Sequence, residues 1–151
     1  MEDETGMRLV RGALLIGATG VVQVFAQLVL SRMMEILPHP RVSSRPTFFM
    51  LAHSVVAVLV LMAGHMLQVT LWALLYHFDW GEFKTFGGAL YFSLASFTTV
   101  GASELALSPG HRMVGALESA AGMLMFGWST ALLVRVVQRT DRAATGQGDG
   151  Q

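Results

Sequence analysis

The chain has 151 residues, 53% of them hydrophobic and only 13% charged, and its mean hydropathy of +0.54 lies outside the range of ordinary soluble domains. That composition predicts a membrane protein. A formal net charge of zero offers no basic footprint for a nucleic-acid partner, and the absence of cysteine excludes disulfides, thiolate metal sites and cysteine nucleophiles.

A hydrocarbon core ~30 Å thick needs about 20 largely apolar helical residues. Three stretches meet that need: Leu9 to Leu30, a second within Thr47 to Phe78, and Met113 to Val134. The first follows Met-Glu-Asp-Glu rather than a basic run, exceeds a signal core in length and has no small-residue cleavage site after Leu30, so it reads as a span. Gln23 and Gln27, one helical turn apart, give it a polar stripe better suited to protein than to lipid, and Gly12, Gly17, Ala18 and Gly20 favour close helix contact. The connection to the second span carries Arg32, Arg41 and Arg45 and is interrupted by Pro38, Pro40 and Pro46, while Arg135, Arg139 and Arg142 follow the third span. By the positive-inside rule both basic segments are cytoplasmic, which predicts a multi-pass chain of the cell (inner) membrane with its N-terminus outside and its C-terminus inside.

Thr47 to Phe78 would be about 48 Å long as one helix, so it must tilt or lie partly at an interface. Its histidines, His53, His65 and His77, are 12 residues apart. Each is therefore rotated by about 120° from the last, and they share no face. His53 and His77 are expected near the interfaces, and His65, with Gln68 one turn on, against another helix. A proton-sensing role for His65 or His111 is the alternative reading.

The next segment, "DWGEFKTFGGALYFSLASFTTVGASELALSPGHR", is too apolar for a plain exposed loop and too interrupted for a span. Phe86 to Phe97 makes three helical turns, enough to dip into a membrane and too few to cross it. Thr85 is its expected N-cap, and Asp79 with Glu82 has capping-box spacing for a short turn before it. The backbone after Phe97 must return at membrane depth without being helical, which is tolerated only where it is buried in protein or lines a watery cavity.

An outer helix, a short re-entrant helix, "TTVG" and then "LALSPGHRMVGALESAAGMLMFGWSTALL" as an inner helix resemble the pore domain of the potassium-channel superfamily, particularly small bacterial two-helix potassium channels. The resemblance runs from about Ala52 to Val137. It implies an all-α membrane protein with three transmembrane helices plus a re-entrant pore helix and an extended filter. Residues 1–46 then form an additional transmembrane helix and cytoplasmic connection, 47–139 the pore domain, and the small, polar 140–151 a disordered tail. It also implies a homotetramer in the lipid bilayer, because four filters must surround one axis for backbone carbonyls to replace the hydration shell of an ion. The filter would be Thr98, Thr99, Val100, Gly101, Ala102 and Ser103, with K+ or Na+ held at Thr99, Val100 and Gly101. No cofactor is implied beyond permeant K+ or other monovalent cations. Glu104 takes the family's acidic position at the outer mouth, Gly122 its inner-helix hinge, and Phe126 and Thr130 its cavity lining.

The sequence departs from the family at two filter positions, where Ala102 and Ser103 replace tyrosine and glycine. The aromatic ring would pack against the pore helix as a strut, and a methyl group is too short for that. The family glycine supports a backbone that a residue with a Cβ resists by ~1–2 kcal/mol. Both changes predict a wider, wetter outer filter and reduced K+ selectivity. Glu118, an acid within the third span, is a functional hypothesis by default; a hydrogen-bonded brace on the re-entrant segment is the favoured reading. Met113, Met123 and Met125 are expected to pack or to line the cavity. No enzyme chemistry is visible. The expected function is conduction of monovalent cations; the alternative is a non-conducting structural or regulatory subunit, and the absence of a second half or inverted repeat argues against a transporter.

Overall fold

In the computed structural model, which describes residues 2–36, 46–102 and 104–145, every regular element among the described residues is helical. Helix α1 spans Glu2–Ile36, α2 spans Pro46–Leu74 and passes into a π turn at Leu75–Asp79, α3 spans Phe86–Phe97, and α4 spans Arg112–Thr145. Among the described residues, three segments are long and apolar enough to cross a bilayer: Leu9–Ile36, Met50–Asp79 and Arg112–Arg142. The protein is therefore an all-α membrane protein.

Three boundaries differ from expectation. The first span continues past Leu30 to Ile36, because Ser31 to Glu35 contains good helix formers and Arg32 meets Glu35 at 3.5 Å in i,i+3 spacing. Helix α2 opens on Pro46, whose missing N–H costs nothing in a first turn. Helix α4 runs on through Thr145, so residues 140–145 are helical rather than disordered. Thr140 donates to the Val136 carbonyl at 3.1 Å, and Ala143 and Ala144 favour the helix. The proline-interrupted connection with Arg41 and Arg45, Ser103 and the chain after Thr145 lie outside the described residues.

The described residues form two compact units. The first holds α1 up to Gln23 together with His65–Phe126. Its apolar core centres on Trp72, Tyr76, Phe92, Phe97 and Val114, with Leu15 and Ile16 of α1 against it. In lipid there is little hydrophobic gain from bringing helices together, so close packing and interhelical hydrogen bonds carry the association. Both are present at α1. Gly12 leaves only enough room for the Val114 side chain, whose Cγ1 would stand 3.2 Å from an added Cβ. Gln23, buried, accepts a hydrogen bond from Gln68 Nε2 at 3.0 Å. The second unit holds α1 from Val24, α2 to Gly64 and α4 from Gly127. Its core is Leu30, Met34, Ala57, Leu61, Leu132 and Val136, and Gln27 there accepts from Trp128 Nε1 at 3.2 Å.

The π turn changes the local wiring at the end of α2. Its extra residue per turn is shown by the Trp80 amide, which donates to the Leu75 carbonyl at 3.1 Å. The expected capping box of Asp79 and Glu82 is absent, because Asp79 is the last residue of that turn rather than a cap. Its carboxylate pairs with Arg11 instead, and Glu82 turns to Ser108 and His111.

Candidate functional site

Helix α3 starts and stops for local reasons. Thr85 is extended (φ −125°, ψ 144°), and its hydroxyl accepts the Gly88 amide at 3.1 Å, satisfying one orphan donor of the first turn. At the other end Thr98 remains right-handed (φ −81°, ψ −1°), and its hydroxyl donates to the Leu94 carbonyl at 2.7 Å. Thr99 then reverses to φ +61° and Gly101 to φ +80°.

Those reversals correct the expectation of an extended 98–101 segment. The chain leaves α3 through a cap-like turn whose amides bond backwards: Thr99 to the Ser96 carbonyl at 2.9 Å and Gly101 to the Ala95 carbonyl at 3.0 Å. The physical reason is that the last carbonyls of a helix lack partners, and a left-handed residue directs the following amides at them. Glycine adopts this conformation freely, but threonine is β-branched and pays ~1–2 kcal/mol for it. Backbone strain of that kind persists only where surrounding bonds enforce it, and it clusters at functional positions. Thr99 and Val100 are exposed, Val100 to 81%, while Ala102 is half-buried against the first core. Ser103 lies outside the described residues.

Glu104, exposed, accepts a hydrogen bond from Tyr91 of α3, and that bond together with the carboxylate charge pushes the Tyr91 hydroxyl above its ordinary 10.0. Beyond it, Glu82 sits between α2 and α3 and accepts from the Ser108 amide at 2.8 Å, from the Ser108 hydroxyl at 2.7 Å and from the His111 ring. Trp80 stacks on His111 with centroids 4.1 Å apart. Burial alone would raise the Glu82 carboxyl, but the Ser108 and His111 contacts outweigh it and hold it below its ordinary 4.5.

Behind the turn, Glu118 is fully buried and accepts from the Tyr76 hydroxyl at 2.7 Å and the Ser93 hydroxyl at 2.5 Å, joining α2, α3 and α4. A buried acid in a membrane segment needs such partners, since an isolated one would cost several kcal/mol. Gly122 lies against the end of α3, where an added Cβ would run into the Phe97 carbonyl. Phe126 is half-buried and packs on Phe97 (5.6 Å, edge-on) and on His65 (4.7 Å). Thr130 is exposed on α4 and belongs to the second unit. His65 is buried among these rings, His77 donates to the Phe83 carbonyl at 2.9 Å, and His53 is buried in the second unit.

Around the turn, then, the first unit gathers Thr98 to Ala102, Glu104, Glu118, Gly122 and Phe126. Sequence reasoning missed Tyr76, Ser93 and Tyr91. Ser93 and Tyr91 carried a usable signal, being polar groups on an otherwise apolar short helix. Tyr76 carried none, because its partner Glu118 lies 42 residues away in the chain. A family model described as ion channel matches residues 55–139, more than half of the chain. No curated protein and no solved structure matches it.

Proposed function

Because the chain belongs to the ion-channel family, with all of α3 and most of α2 and α4 inside the matched region, we propose that it is the pore-forming subunit of a homotetrameric channel for monovalent cations with reduced preference for K+. The observation that carries this reading is the strained turn at Thr99, placed at the carboxyl end of a short apolar helix between two spans. A helix C-terminus bears about half a negative charge, which favours a cation there. Four such ends around one axis, with the carbonyls of Thr99, Val100 and Gly101 between them, would replace part of an ion's hydration shell. The exposure of Thr99 and Val100 on a single chain is what such an assembly would cover.

Ala102 and Ser103 shape the selectivity. Ala102 already faces the core, the direction an aromatic strut would take, but its methyl leaves the outer half of the filter unsupported. A ring of four Glu104 carboxylates would concentrate cations at the mouth and repel anions. In this reading Phe126 and Thr130 line the cavity, and the channel sits in the cell membrane with Arg135, Arg139 and Arg142 on the cytoplasmic side.

The test is flux through the protein reconstituted in liposomes, with K+, Na+ and a bulky organic cation compared side by side. Flux of both alkali ions with little discrimination, and none of the organic cation, is expected. A verified tetramer that passes no monovalent cation would sink the channel reading and leave a pore-like scaffold.

A further inference from the structure

The contacts between α3 and α4 follow a register that the hinge reading of Gly122 does not use. On α4, Glu118, Ser119 and Gly122 occupy one face at i, i+1 and i+4; on α3, Ser93, Ser96 and Phe97 do the same at i, i+3 and i+4. They meet in order. Glu118 accepts from the Ser93 hydroxyl at 2.5 Å, Ser119 donates to the Ser96 carbonyl at 2.8 Å, and Gly122 lies beneath the Phe97 carbonyl.

Two details tie this seam to the turn. The Ser96 carbonyl that receives the Ser119 hydroxyl is the same one that receives the amide of strained Thr99, at 2.9 Å. At Gly122 a Cβ would stand 2.9 Å from the carbonyl carbon of Phe97 and 3.1 Å from its Cα. Those are main-chain atoms, which cannot rotate aside as a flexible side chain would, so any methyl at 122 must displace the last residue of α3. Gly127, further along the same helix, has open space where a Cβ would go.

We propose that Ser119 and Gly122 are positioning residues for the ion-selecting turn: they seat the end of α3 on α4, with Glu118 holding its preceding helical turn, and so set the placement of the Thr99 and Gly101 backbone. Glycine is required at 122 for contact rather than for bending. This inference rests on the pore reading above and adds that ion preference is fixed partly from the inner helix. It predicts that a change confined to α4, touching no filter residue, alters selectivity.

The test compares wild type, Gly122→Ala, Gly127→Ala and Ser119→Ala in liposomes, reading the K+/Na+ flux ratio, and in nanodiscs, reading the thermal midpoint by tryptophan fluorescence. Gly122→Ala and Ser119→Ala should change the ratio by about 2- to 30-fold, the span of coupling seen for residues one step removed from a site. Gly127→Ala, with the same gain in helix propensity, should leave it at the wild-type value. If Gly122→Ala does not fold, Ser119→Ala carries the measurement. A hinge at Gly122 would instead change the flux of both ions together in Gly122→Ala, at an unchanged ratio, and that result overturns the proposal. Should wild type pass no cation, the pore reading fails and the seat of α3 is judged on melting alone. A midpoint for Gly122→Ala several degrees below that of Gly127→Ala then supports the seat, since overpacking against backbone destabilises; equal midpoints overturn it.

Discussion

Tyr76→Phe isolates one hydroxyl. The ring of Tyr76 packs edge-on against Phe92 with centroids 5.5 Å apart and lies 5.8 Å from Trp80; phenylalanine keeps both contacts. What is lost is the 2.7 Å hydrogen bond to Glu118, which leaves the buried carboxyl with Ser93 as its remaining hydroxyl donor. A typical intramolecular hydrogen bond is worth about 0.5–1.5 kcal/mol net in water-soluble proteins. Interhelical bonds in membranes average about 0.6 and reach about 1.7 kcal/mol, because the unfolded chain in lipid also finds partners. The Glu118 bond belongs near the upper end of the membrane range, since both partners are wholly buried, so Tyr76→Phe should destabilise by about 1–2 kcal/mol. Tyr76→Leu, which also removes the ring, should cost considerably more. Denaturant unfolding in nanodiscs, followed by tryptophan fluorescence, measures both, and a cycle with Glu118→Ala extracts the coupling. A cost below about 0.3 kcal/mol for Tyr76→Phe, or a coupling of zero in the cycle, would refute the claim that this bond joins α2 to α4.

The Gln23–Gln68 bond should behave similarly: Gln68→Leu alone costs about 0.6–1.7 kcal/mol, and the double Gln23→Leu/Gln68→Leu variant recovers part of it, which the same unfolding assay reads. Glu82 sets an acid limit. Its carboxyl is held below 4.5 in the folded protein, so its stabilisation is complete above that value and is lost as pH falls through the lowered value. The thermal midpoint of wild type should therefore drop more steeply below about pH 4.5 than that of Glu82→Gln, and parallel curves would contradict the assignment. Glu104→Gln should reduce cation flux at low ionic strength and match wild type near ~1 M salt, where the screening length is ~3 Å. Finally, the pair Ala102→Tyr and Ser103→Gly should raise the K+/Na+ flux ratio; no rise would show that the missing strut does not cause weak selectivity.

Elements whose boundaries depend on neighbours along the chain were legible in the sequence. Phe86 and Phe97 bound α3 as expected because the Thr85 cap acts over three residues, and the three spans follow from apolar length alone. Where a local pattern had two physical outcomes, the sequence was ambiguous. Asp79 and Glu82 had capping-box spacing, but a π turn and the distant Arg11, Ser108 and His111 claimed those carboxylates. The 140–145 stretch had tail-like composition yet helical propensity, and propagation of an existing helix settled it.

At the centre of the site the division is the same. That an acid at 118 must find partners is determined by the sequence through desolvation, whereas the left-handed turn at Thr99 was not legible in it, because backbone sterics disfavour that conformation for a β-branched residue. Which groups satisfy Glu118 was decided only by tertiary structure, because Ser93 and Tyr76 lie 25 and 42 residues away and meet it once α2, α3 and α4 close together. The same closure brought Gly122 against the Phe97 carbonyl: a missing side chain says where a neighbour can approach, and only the packed helices show which neighbour does.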